Sequence, residues 1–252
     1  MLLTSLIRGG QVIHIRRKST HQAIMCLVIS LYFIFIKAIL NPAFSAARSD
    51  GDTIAFASIA LQIIEKGDSF DPKRTPLYPL ILAILSGFDA ASPEEVIEKS
   101  GNLVILFQSV LTLSLHLIIF LAIRNHTDSS LFACLLVCAM MTNRGLHFSD
   151  YTVLTESLTN VLFGFLCLLI WKCGRDRDDH LFAIFFFCAL CLSLIRPNGW
   201  LLSLVALSLM RITRIVPWKK VLLSALVVSV VPAYYVWRNN AELNYPTYSV
   251  AS

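Results

Sequence analysis

The chain has 252 residues, 56% of them hydrophobic and only 15% charged, with a mean hydropathy of +0.70, which lies outside the composition of soluble domains. Its net charge is +5, but the bases stand in small groups between apolar segments and form no aromatic-interleaved stripe, which argues against a nucleic-acid interface. The pattern is that of an all-α polytopic membrane protein whose bases act as orientation signals.

Residues 1–21 form a cytoplasmic N-terminal segment carrying Arg8, Arg16, Arg17 and Lys18. Gln22 to Leu40 follows as nineteen mostly apolar residues. With Ser45, Ala46 and Ala47 behind it the outline is that of a signal peptide, yet the apolar run exceeds a signal core of about 7–15 residues and suits a span of about 20. We expect an uncleaved first helix with its N-terminus in the cytoplasm, and Lys37 near its outer end snorkelling to the headgroups.

The first outer loop, residues 41–101, holds two short amphipathic or apolar segments. Thr53 to Lys66 has Ile54, Phe56, Ile59, Ala60, Ile63 and Ile64 at mostly helical spacing and is closed by Gly67; it is expected to lie flat on the bilayer. Pro76 to Phe88 is an apolar stretch only thirteen residues long, about 20 Å of helix against a hydrocarbon core of about 30 Å, and is expected not to cross. Further spans are read at Asn102 to Ile123, Ser129 to Thr142, Thr155 to Trp171, Leu181 to Ile195, Gly199 to Ile212 and Lys219 to Trp237, making about seven in all.

Charge bias tests that count, because Lys and Arg in short loops favour the cytoplasm. Seven spans place twelve bases and four acids inside, and eight bases and twelve acids outside. A crossing at Pro76 to Phe88 would invert every later loop, and fusing Leu181 to Ile212 into one helix would send the two basic clusters to opposite sides. The seven cysteines all fall within or at the edge of apolar segments. Even the CxxC spacing of Cys188 and Cys191 lies among phenylalanines and leucines, so all seven read as small buried hydrophobes.

On this topology the outer face collects Asp50, Asp52, Lys73 and Arg74 in the first loop, Arg144, His147, Asp150 and Glu156 in the second, and Arg196 in the third. A charge at membrane depth such as Arg196 is a functional candidate by default. Carboxylates beside cations at a membrane surface suit a lipid-phosphate donor: an acid takes the proton of an incoming hydroxyl or holds a divalent cation, and guanidinium or ammonium groups neutralise the departing phosphate. Asp50 ranks first. Asp52 reads equally as a helix N-cap, Asp68 and Asp71 as turn formers, Glu94, Glu95 and Glu98 as a solvated helical face, and His116 as a buried, hydrogen-bonded histidine.

At SDGD, followed by an amphipathic helix and RTPLYPLILAIL, the chain resembles the first module of the GT-C superfamily, the polyprenyl-phosphate-sugar-dependent transferases that include aminoarabinose transferases and protein O-mannosyltransferases. LTESL at Leu154 to Leu158, LIRPNGWLL at Leu194 to Leu202 and WRNN at Trp237 to Asn240 are further echoes. The resemblance covers roughly Ala23 to Ser252, with residues 22–252 as the transmembrane module, and implies seven helices plus two juxtamembrane helices in the first outer loop. It implies Asp50 as catalytic base, Arg74 as a contact to the donor phosphate, and Glu156, with Asp150 behind it, as the second-loop acid.

The expected reaction is transfer of a sugar from a polyprenyl-phosphate donor to a lipid or protein acceptor on the outer face of a bacterial inner membrane. Catalysis falls to Asp50, Asp52 and Glu156; substrate binding to Lys73, Arg74, Arg144, Asp150 and Arg196. Membrane lipids are further partners, and the cofactor is unknown, a divalent cation being compatible. Because the family continues beyond a seventh helix, the sequence reads as truncated there. A non-catalytic membrane subunit and a lipid-linked-sugar transporter are the alternatives.

Overall fold

A computed structural model describes residues 2–40, 51–71, 74–142, 155–176 and 179–243. Among them the fold is all helical: α1 Leu2–Leu40, α2 Gly51–Lys66, α3 Leu77–Leu85, α4 Pro93–Thr127, α5 Ser130–Met141, α6 Thr155–Asp176, α7 Asp179–Ile195, α8 Gly199–Ile212 and α9 Trp218–Leu243. Among the described residues four stretches are long and apolar enough to cross a membrane, Thr20–Ile39, Pro93–Thr127, Thr155–Arg175 and Trp218–Ala241, and they mark the chain as a membrane protein. Three apolar helices are shorter, α5, α7 and α8, with 12, 17 and 14 residues. The chain divides into two compact units, Met1–Phe44 with Leu113–His147, and Ser45–Thr112 with Phe148–Ser252.

The first unit packs α1, the second half of α4 and α5 around Ile29, Phe33, Phe120, Val137 and Met141. α4 ends at Asp128, whose φ of 55° turns the chain and whose amide donates to the Arg124 carbonyl. Ser129 then starts α5 by accepting the Phe132 amide at 3.3 Å, satisfying one of the orphan donors of a helix start. Lys37 does not snorkel: only 4% exposed, it lies in the protein interior with its ammonium 5.3 Å from the Phe33 ring centre. His116 is buried beside the same ring, in line with the sequence reading.

In the second unit α2 and α3 pack together on the first half of α4. Phe56, Ala57 and Ala60 of α2 meet Tyr78, Leu82 and Ala83 of α3 in one cluster, joined by Val96 and Val104 of α4. Much of the apolar face of α2 that was expected to rest on the bilayer packs on α3, while Ile54 stays exposed. Asp52 is not a residue before the helix but lies in its first turn. Gly67 does close α2, with φ at 68°. α3 has 9 residues, too short to cross, as the sequence indicates. Glu95 starts α4 in the manner of a capping box, its amide donating to Ser92 Oγ while its carboxylate accepts the Ala91 amide at 2.8 Å. Glu94 and Glu98 stay exposed.

Helices α6 to α9 share a second cluster around Leu166, Phe185, Leu192, Leu207, Met210 and Val228. Within a bilayer such helices gain little from water exclusion and hold together through close packing and hydrogen bonds. α7 and α8 show both. Ser203 Oγ of α8 lies 2.8 Å from the Ala189 carbonyl of α7 and equally far from its own Gly199 carbonyl. Gly199 lies so near α7 that a Cβ there would stand 2.0 Å from the Leu192 carbonyl oxygen. Arg196, Pro197 and Asn198 thus form a tight reversal between two helices, as read from the sequence.

Candidate functional site

The second unit brings four of the sequence-selected residues together as two ion pairs. Arg74 Nη2 donates to Asp52 Oδ1 at 2.6 Å, linking the residues just before α3 to the first turn of α2. Its guanidinium also lies over the Phe56 ring, 5.3 Å from the centroid. The second pair joins Arg196, directly after α7, to Glu156 in the first turn of α6, at 2.5 Å. The two pairs border one apolar cluster by different routes. Phe56, under the Arg74 guanidinium, packs edge-on against Tyr78, and that cluster also takes in Leu158 of α6, two residues beyond Glu156, and Ile195, the residue before Arg196.

The geometry leaves unused acceptor capacity in this region. A carboxylate has two oxygens, and while Glu156 Oε1 takes Arg196, its Oε2 is buried with no hydrogen-bond partner among the described residues. Thr75, 2% exposed and next to Arg74, also has its Oγ1 without a partner there. A buried polar atom in that state carries a desolvation penalty of about 1–3 kcal/mol until something satisfies it. Glu156 therefore has one oxygen that positions Arg196 and a second that no described group satisfies. Asp52, two-thirds exposed, is held by Arg74 and open to the surroundings.

A third pair, not selected from the sequence, ties the first loop to the last helix. Arg238 of α9 reaches both carboxylate oxygens of Asp68, at 3.4 and 3.3 Å, accompanies Tyr234 Oη at 3.1 Å and stacks on the Phe70 ring at 3.9 Å. Tyr235 Oη donates to the Ser69 carbonyl at 3.3 Å. Asp68 is also the turn former that its sequence context suggests, since Oδ1 accepts the Phe70 amide at 3.0 Å. That amide first, and Arg238 next, hold the Asp68 carboxyl below its ordinary value. The signal for Arg238 was the WRNN segment, but nothing local pointed to an acid 170 residues earlier.

Asp50, Lys73, Arg144 and Asp150 lie outside the described residues. Among the described residues no group of three His, Cys, Asp or Glu side chains is arranged to hold a metal ion. Taken together, the fold and these ion pairs define an all-helical membrane protein with carboxylate–guanidinium pairs at helix ends. Comparison of the chain with protein-family models, with curated proteins and with solved structures finds no match.

Proposed function

We propose that the chain is a membrane glycosyltransferase of the GT-C kind, moving a sugar from a polyprenyl-phosphate donor to a lipid or protein acceptor outside the cytoplasm. In this reading seven helices cross the bilayer, the four long ones together with α5, α7 and α8, while α2 and α3 stay at its outer surface. The observation that carries it is the Glu156–Arg196 pair, a carboxylate with a buried oxygen that no described residue satisfies, held beside a guanidinium at the ends of two apolar helices. The Asp52–Arg74 pair, its guanidinium over Phe56, supports it.

The chemistry is a single displacement. An acceptor hydroxyl attacks the anomeric carbon, the bond from that carbon to the phosphate oxygen breaks, and the acceptor proton passes to a carboxylate. Asp50 is assigned as that base, with Glu156 as the second acid. Arg74 and Arg196, with Lys73 and Arg144, neutralise the phosphate as it departs on its prenyl chain; Asp52 and Asp150 orient these cations and the substrates. The carboxylates that now pair with Arg74 and Arg196 keep both cations in place before the donor arrives.

The test is a membrane-fraction assay with radiolabelled polyprenyl-phosphate sugars. Transfer by the wild type, its loss in Asp50→Asn and its sharp reduction in Glu156→Gln at equal protein levels are expected. Wild-type turnover by Asp50→Asn removes the assigned base. A second reading, a translocase of lipid-linked sugars, is favoured by Lys37 and His116, two ionisable side chains buried within spans of the first unit. Proteoliposomes that flip the lipid-linked sugar without transferring it would establish that reading instead.

A further inference from the structure

The connection from α8 to α9 is built to present charge. Residues 211–220 contain four bases, Arg211, Arg214, Lys219 and Lys220, and no acid. α8 ends in a tight reversal: Arg214 takes φ of 56°, its amide donates to the Arg211 carbonyl at 2.9 Å, and the Ile215 amide returns to the Met210 carbonyl at 3.0 Å. The reversal drives Val216 and Ile215 inward, where they join the cluster of Leu207 and Met210. What remains outside is mixed in a particular way. Ile212 is 74% exposed and Trp218 55% exposed, with Arg214 and Lys219 exposed between and beside them.

Two of the four cations already have partners, and the partners differ in kind. Lys220 Nζ donates to Asp179 Oδ1 at 2.6 Å, so it fastens the start of α9 to the start of α7. Arg211 lies over the Trp218 ring, 5.8 Å from its centroid, which keeps its positive charge. An exposed aromatic flanked by cations at the joined ends of two apolar helices has the chemistry of a membrane interface: the ring sits at headgroup level, and the ammonium and guanidinium groups meet phosphate.

We propose that the α8–α9 connection is a binding site for anionic phospholipid headgroups, with Arg211, Arg214 and Lys219 engaging the lipid phosphate and Trp218 and Ile212 seated against the adjoining acyl region. The site is independent of the sugar-transfer reading. It uses none of that reading's residues, and its occupant is a lipid of the surrounding leaflet.

The test uses the full chain in neutral detergent, titrated with brominated phosphatidylglycerol or brominated phosphatidylcholine. The Trp218 signal is taken as the fluorescence difference between wild type and Trp218→Phe. Quenching by the anionic lipid is expected at about tenfold lower lipid fraction than by the zwitterionic one, with the preference shrinking as ionic strength rises. The triple variant R211Q/R214Q/K219Q, which leaves the Lys220–Asp179 pair intact, loses the preference. The charge-preserving variant R211K/R214K keeps it and shows that the turn still folds. Equal titration by the two lipids, retention of the preference in the triple variant, or its loss in the charge-preserving one overturns the proposal.

Discussion

The two ends of the α6–α9 bundle use the same residue types to opposite effect. Where α6 begins, α7 stops and α9 finishes, each described cation is matched to an acid and partly withdrawn from the surroundings: Arg196 to Glu156, Arg238 to Asp68. Where α7 and α9 begin and α8 stops, Lys220 meets an Asp179 that is 84% exposed, Arg214 and Lys219 are exposed, and Arg211 is half-buried over the Trp218 ring. The cations Arg196 and Lys220 are equally exposed, so the contrast lies in their acids: a half-buried carboxylate is screened less by the surroundings than an open one, whose pair contributes little. The proposed sugar transfer uses the first end, and the proposed lipid site the second.

The largest expected effect sharpens that contrast. Glu156→Gln keeps the shape of the side chain but removes both the charge facing Arg196 and a proton acceptor. Sugar transfer is expected to fall about 10²–10⁴-fold, whereas Asp179→Asn at the other end leaves it unchanged; both are read in the membrane assay against protein level. Equal losses would break the comparison. Next comes Gly199→Ala. The added methyl meets the backbone of Leu192 rather than a side chain able to swing away, so α7 and α8 must separate where Arg196 is held. Destabilisation of about 1–3 kcal/mol is expected, seen as a lower unfolding midpoint in detergent, with accumulation in the membrane reduced accordingly.

The helices were largely legible in the sequence, because Pro, Gly and charge punctuate apolar runs. The readings Leu181 to Ile195 and Gly199 to Ile212 coincide closely with α7 and α8, and the reversal between them is spelled out by Arg196, Pro197, Asn198 and Gly199. Orientation within the helices was less legible. In a span both the lipid face and the protein face are apolar, so no periodicity told that Lys37 turns inward; α2 did show an apolar face, but a lipid surface and α3 cover such a face equally well. Partner choice was hidden for another reason. Arg74 and Asp52 stand 22 residues apart, Arg196 and Glu156 40, and Arg238 and Asp68 170, separations that only tertiary packing closes. The sequence could name most of the charges in these pairs as candidates, but could not say which would meet.

The smallest effects concern stability alone and depend on pH. Asp68 has its carboxyl held below its ordinary value of 3.8 by the Phe70 amide and by Arg238. A group lowered in this way contributes stability that is present above its unfolded value and disappears as pH falls through the folded one. Asp68→Asn is thus expected to lower the melting temperature at neutral pH, with an effect of about 1 kcal/mol or less because the pair is only half-buried. The gap between variant and wild type should close in acid. Asp179→Asn, whose carboxyl is likewise held low by Lys220 but in the open, should shift the melting temperature less at every pH. If instead the two variants lose stability equally and titrate together, burial does not distinguish the ends of the bundle, and the argument that one end positions its charges while the other displays them fails.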